Sequence, residues 1–278
     1  MTAGTEAPAL TRSGADVLRA ARAGGYGLAA FNAVNLETAQ AVVRAAQSQR
    51  SAVVLQFSQN AARHAGLRQL AALGLSLKHD ADVPVLLHFD HAESEDMVLA
   101  ALDLGFDGVM LEGDEVGVLR RLATRAHAAG GYLEAEYEVV VKGERHGHRH
   151  DDPAELLRFV QLSRCDLLAV DIGTAHKQTE KTARLDFARL EALAALTPLP
   201  LVLHGSSGVP EEQLSRAVTL GISKVNLATD LTVTFTAAVR ASLDNGASDP
   251  RRYLAAGRDA MQARAEHYIQ LLGGAGTA

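Results

Sequence analysis

Short apolar runs alternate with longer amphipathic ones eight times along this chain, and that alternation restricts the fold more than any other feature. GLAAF (27–31) precedes LETAQAVVRAAQ (36–47), and AVVLQF (52–57) precedes a helical stretch ending near His79. VPVLLHF (83–89) leads into SEDMVLAALDL, and DGVML (107–111) into VGVLRRLATRAHA. YLEAEYEVV (132–140) comes before PAELLRFVQL, and DLLAVDI (166–172) before LDFARLEALAAL. PLVLH (200–204) precedes PEEQLSRAVTLG, and SKVNL (223–227) precedes LTVTFTAAVRASL. Apolar strands separated by helices imply a parallel sheet covered on both faces. Eight such units in 278 residues predict an α/β fold, a single (β/α)8 TIM barrel over residues 1–278 with extra N- and C-terminal helices. An open doubly wound sheet is the alternative, but no G-x-G-x-x-G follows the first strand.

Composition narrows the function classes. A content of 47% hydrophobic and 22% charged residues is globular. A net charge of −6 with only 4% aromatic residues argues against nucleic-acid binding. The single cysteine, Cys165, excludes an internal disulfide framework and is expected to pack behind the sixth strand. No apolar stretch is long enough to cross a bilayer. The opening MTAGTEAPALTRSG lacks a signal-peptide pattern. A cytoplasmic protein is expected.

In barrels of this kind, active sites form at the C-terminal ends of the strands, where the unusual polar residues of this chain fall. Asp90 and His91 close the third strand, while Glu134 and Glu136 lie two apart in the fifth and so on one face. His176 follows the sixth strand, His204 ends the seventh, and Asn226 lies near the end of the eighth. A strand-end histidine taken singly is an ordinary hydrogen-bonded group. Three at one rim suit a catalytic zinc with three protein ligands and one open position, so His91, His176 and His204 are the expected triad. GSSG (205–208) and NLATD (226–230) follow the last two strands, where such barrels frequently bind phosphate. Gly205, Ser206, Ser207 and Thr229 are the candidates. A cation that polarises a carbonyl acidifies the adjacent C–H and holds the enediolate, and Asp90 is placed to be the separate acid/base that moves a proton on the other reacting oxygen.

HFDHAES, LEAEYEVVVKGE, VDIGTAHK, PLVLHGSSGV and KVNLATDL, with FNAVNLET near the start, resemble the class II, zinc-dependent fructose-bisphosphate and tagatose-bisphosphate aldolases from about Gly25 to Arg264. The resemblance implies a homodimer or homotetramer. It also implies a step in carbohydrate metabolism such as glycolysis, the reversible cleavage of a ketose bisphosphate to dihydroxyacetone phosphate and an aldehyde such as glyceraldehyde 3-phosphate. Carried over, it makes Asp90 the proton donor/acceptor at the C4 hydroxyl and His91, His176 and His204 the zinc ligands. Glu136 would lie beside the metal and can bind a second cation, divalent or monovalent. Asn226 would contact the enediolate region, Gly205, Ser206, Ser207, Ala228 and Thr229 the dihydroxyacetone phosphate group, and Asn32 and Ser58 the rest of the substrate. Arg251, in DPRRYL, matches an arginine that reaches the distal phosphate across a subunit boundary.

The chain departs from the family around phosphate and lid. Lys177 stands where glycine is usual after the second zinc histidine, and a positive charge there can replace a bound monovalent cation. Glu144 aligns with the catalytic glutamate of a mobile loop, but the loop reads EYE and VKGER, and the fourth strand ends MLEGD. KGERHGHRHDD (142–152) reads either as that lid or as a solvated loop, and its HGHRH as surface histidines or a second metal site. Two rivals stay open. One is a Schiff-base aldolase, which needs a desolvated strand-end lysine, whereas Lys224 opens its strand. The other is a zinc-retaining barrel without turnover.

Overall fold

The computed structural model describes residues 13–137, 152–174 and 181–278. Its strands are β1 (Leu28–Asn32), β2 (Val53–Ser58), β3 (Val85–Ala92), β4 (Gly108–Leu111), β5 (Tyr132–Glu136), β6 (Leu167–Ala169), β7 (Leu201–Leu203) and β8 (Ile222–Leu227). They pair in parallel and in chain order, and β8 closes on β1. The helices are α1 (Gly14–Gly24), α2 (Leu36–Gln49), α3 (Gln59–Ala65), α4 (Leu67–Asp80), α5 (Glu95–Asp103) and α6 (Val116–Ala128). They continue with α7 (Pro153–Ser163), α8 (Phe187–Leu196), α9 (Glu211–Thr219), α10 (Thr229–Asp244) and α11 (Pro250–Leu271). The expected closed barrel and the extra helices at both ends are present.

Local chemistry explains the boundaries. Asn35 and Thr38 form a reciprocal capping box at the start of α2. Asp152 and Asp249 cap α7 and α11, each with proline in the first turn. The helical stretch after β2 is two helices rather than one. Gly66 divides it at φ 87°, a left-handed backbone that ends α3 and redirects the chain into α4. The sixth and seventh strands are also shorter than their apolar runs, at three residues each.

The strands' period of two sorts side chains into two cores. Outward residues such as Phe31, Leu55, Leu87, Leu133 and Leu168 pack under the helices. Inward residues near the strand starts, among them Leu28, Val54, Leu86, Leu167 and Val202, pack against Ala15, Leu18 and Ala21 of α1. The first helix thus plugs the N-terminal mouth with apolar contact, each fully buried leucine contributing about 1.5–3 kcal/mol. Tyr132 reaches into the same layer because Gly108 beside it has no side chain; a Cβ there would lie 2.1 Å from the tyrosine ring. Gly108→Ala should therefore destabilise by about 2–3 kcal/mol, lowering Tm by roughly 5–10 °C in calorimetry.

Candidate active site at the C-terminal rim

Above the apolar plug the same inward positions turn polar. Asn32, Gln56, His88, Asp90, Glu134, Lys224 and Asn226 hydrogen-bond across the barrel or form ion pairs within it. Asp90 follows this alternation, whereas His91, one residue later, would ordinarily point into the helical layer. Two local features turn it inward. The pairing of β3 with β4 slips between Phe89 and Ala92, and His91 itself takes a left-handed backbone at φ 51°. That conformation costs a non-glycine residue on the order of 1 kcal/mol. It brings the His91 ring to 5.0 Å from that of His204. The DH dipeptide therefore presents both side chains to one mouth.

Each carboxylate oxygen of Asp90 faces an amide: Asn32 Nδ2 donates to Oδ2 at 3.1 Å, and Asn226 Nδ2 approaches Oδ1 at 3.5 Å. Gln56 Nε2 donates to Asn32 Oδ1 at 3.2 Å, so the Asn32 amide has one satisfied orientation. His204 Nε2 lies 2.7 Å from Glu134 Oε1, and its Nδ1 lies 3.5 Å from Glu136 Oε1. His91 Nδ1 lies 3.2 Å from Glu112 Oε1, an outer carboxylate of the kind that orients a ligating imidazole.

Burial and charge oppose each other throughout. Burial would raise the Asp90 pKa, but His91, Lys224 and His204 outweigh it and hold the carboxyl below its usual range. Glu134 is likewise held well below that range, burial being overcome by Lys224 and then by the His204 hydrogen bond. Burial, reinforced by Lys224, pushes His88 down to about 3, so this imidazole is neutral. For His204 burial is outweighed by hydrogen bonds to Glu134 and Glu136, which push it up to about 10.

The donor set fits a divalent cation. Asp90, His91 and His204 each offer one ligand atom within 4.8 Å of the others. Glu136 Oε1 is buried at the same place, 3.5 Å from His204 Nδ1. Imidazole and carboxylate together suit zinc and its first-row neighbours. A cation must displace the proton on His204. Its affinity should accordingly rise as pH rises toward about 10, by up to tenfold per unit, with proton release visible when titrations in different buffers are compared.

The sequence model of class II fructose-bisphosphate aldolases matches residues 12–277. The chain belongs to this family. As a class II aldolase it is a carbon–carbon lyase, and it is similar to fructose-bisphosphate aldolases of known relatives. The one from Thermus caldophilus is 36% identical, with 96% of this chain and 99% of the relative covered. The one from Geobacillus stearothermophilus is 36% identical, with 95% and 97% covered. Among solved structures, the YdjI aldolase from Escherichia coli K12 superposes with a TM-score of 0.84 at 26% identity, covering 96% of this chain and 99% of that one.

Most of the expected rim residues of this aldolase stand together. Ser58 lies beside Asp90 in the sheet register and caps α3, accepting from Ala61 N at 3.2 Å. Gly205, at φ 63°, turns the chain after β7 into a short 3-10 turn, Ser206–Gly208, and the Ser206 hydroxyl donates to the Asn226 carbonyl. Ser207 is the middle residue of that turn. Ala228 and Thr229 begin α10, whose first amides face the rim without a side-chain cap. Cys165 is buried and its thiol is pushed up to about 11 by burial, which keeps it inert.

Arg251 stands apart. Helix α11 runs antiparallel to α10: Arg264 pairs with Asp230 at the start of α10, while Gly257 packs on Phe235 and Val239 farther along it. The C-terminal end of α11 lies at the N-terminal mouth, where the Leu272 carbonyl accepts from Gly27 N–H, and the helix passes the rim at Arg264. Arg251, about 20 Å earlier along the helix axis, therefore lies beyond its own rim, exposed and ion-paired with Asp249 at 2.7 Å. His176, Lys177, Glu144 and the 142–151 part of the candidate lid lie outside the described residues.

On sequence alone Lys224 is weighed only as a Schiff-base lysine and set at the opening of its strand, whereas β8 begins at Ile222. Lys224 sits mid-strand in β8, fully buried, 2.8 Å from Glu134 Oε2 and 2.8 Å from Asn226 Oδ1. The available signal was its spacing of two from Asn226, matching that of Glu134 and Glu136 in β5. A lysine nitrogen committed to donating to two oxygens is not poised to attack a carbonyl, which weighs against the Schiff-base reading.

Proposed function

We propose that this class II aldolase is a zinc enzyme that reversibly cleaves fructose 1,6-bisphosphate, or a close relative such as tagatose 1,6-bisphosphate, to dihydroxyacetone phosphate and glyceraldehyde 3-phosphate. The observation that carries the reading is the meeting of Asp90, His91 and His204 within 4.8 Å at one rim, with the two oxygens of Asp90 bracketed by two amides. His91 and His204 would hold the cation together with His176, and Glu136 would contact it or a second one. When bound, the cation supplies Lewis-acid polarisation of the substrate carbonyl.

The protein's own groups do the remaining work. Asp90 accepts the C4 hydroxyl proton as the C3–C4 bond breaks, and the new carbonyl leaves as the aldehyde. The bonding electron pair stays on the dihydroxyacetone phosphate fragment, where the Asn226 amide donates to the developing oxygen charge. Glu144 returns a proton to C3. Gly205, Ser206, Ser207, Ala228 and Thr229 hold the phosphate of that fragment at the uncapped start of α10. Arg251, remote from its own rim, would serve the distal phosphate of a second copy, which supports a homo-oligomer. Lys177 would add positive charge beside the phosphate.

The test is product analysis with zinc-loaded protein on fructose and tagatose mono- and bisphosphates, with borohydride trapping in parallel. Dihydroxyacetone phosphate release from a bisphosphate, abolished by chelator and without covalent trapping, is expected. Release that survives chelation, or a trapped imine, overturns the reading.

A further inference from the structure

The buried ion pair in the polar layer above the apolar plug is not explained by stability. Two charges withdrawn from water lose several kcal/mol of hydration each, and an apolar pair of similar volume often serves a core equally well. Lys224 and Glu134 are both fully buried and 2.8 Å apart. What the pair does for its neighbours is specific. A lysine ammonium only donates, so the Asn226 oxygen must turn toward it, and the amide nitrogen is left facing Asp90. The flipped amide would set NH2 against ammonium and oxygen against carboxylate. Glu134 has one oxygen on Lys224 and the other on His204 Nε2 at 2.7 Å. A carboxylate accepting from Nε2 leaves Nδ1 as the nitrogen whose lone pair can meet a cation, on the side of Glu136.

We propose that Lys224 is a positioning residue: its one ammonium fixes the amide of Asn226 and, through Glu134, the ring of His204, so the proton-transfer half and the cation half of the site share an anchor. This rests on the zinc-aldolase reading above. It assigns to β8 a role distinct from that of any group touching the substrate. Met110 and Leu167, the residues of β4 and β6 in register with Glu134, are apolar, so among the described residues this carboxylate is met by Lys224 of β8 on one oxygen and by His204 on the other.

Two variants test it. Lys224→Met removes the anchor alone. Lys224→Met with Glu134→Gln removes both charges, avoiding a lone buried carboxylate, while the amide oxygen introduced by the second substitution can still accept from His204. Leu18→Ala, in the apolar plug, serves as a control for destabilisation away from the rim. The double variant is expected to fold, to bind zinc about 10–100-fold more weakly in chelator competition, and to shift the visible absorption of the Co2+-loaded protein. Its kcat on fructose 1,6-bisphosphate should fall at least about tenfold with KM changed less than about threefold, since the loss lies in orientation rather than uniform binding. The control should lose thermal stability with an unchanged cobalt spectrum. A folded double variant with wild-type zinc affinity, cobalt spectrum and kcat overturns the proposal while leaving the aldolase reading intact. Wild-type protein that neither binds zinc nor cleaves the substrate overturns both.

Discussion

Asp90→Ala is expected to retain its divalent cation and lose cleavage activity by about 10²–10⁴-fold, the range for removal of a positioned acid/base group. The side chain is buried, fixed by Asn32 and Asn226, and surrounded by His91, Lys224 and His204, whose charges overcome the effect of burial and keep it ionised. An ionised carboxylate held between two amide donors can take a proton from a hydroxyl without first reorganising. It also lies within 4.8 Å of the candidate ligands, so the competing assignment is that Asp90 itself binds the cation. Zinc affinity and kcat, measured on the same preparation, separate the two. Loss of turnover at wild-type affinity identifies a base; a fall in affinity of about a hundredfold identifies a ligand. Asp90→Asn sharpens the comparison, because it keeps the shape, removes the basic oxygen and should be as inactive as the alanine variant.

The barrel was legible because eight apolar runs at helical intervals leave few other ways to bury so much surface. The rim was legible because polar residues interrupt those runs at their C-terminal ends. What the one-dimensional pattern concealed depends on backbone angles and on partners across the barrel. A period of two sends Asp90 and His91 to opposite faces, and only the strand slip and the left-handed His91 undo this. SKVNL shows that Lys224 and Asn226 share a side, but not that Glu134 waits opposite. Gly66 could have been taken for a tolerated glycine within one helix, yet it divides two. Arg251 follows a motif, and its distance from its own rim emerges only from the antiparallel course of α11.

His204→Ala should release the cation, and the expected size of the effect follows from its position. An imidazole at the centre of the cluster supplies one ligand of a set whose zinc binding is worth about 10–16 kcal/mol in a four-ligand structural site. Losing one ligand then costs about 3 kcal/mol, or roughly 10²–10³-fold in affinity. Turnover should disappear at stoichiometric zinc and recover in part at a large excess. The cation-free protein carries a second signature with its own sign. His204 is pushed up to about 10 in the folded state, so its charged pairing with Glu134 stabilises the fold most fully below about pH 6.5. That contribution fades as pH rises through about 10. Thermal unfolding of chelated wild type and variant should therefore differ most near pH 6 and converge in alkali, even though cation binding is strongest where the imidazole is neutral. A variant that holds zinc as tightly as wild type would place the cation elsewhere on the rim. A stability difference independent of pH would mean that the ring packs against Glu134 without sharing a proton with it.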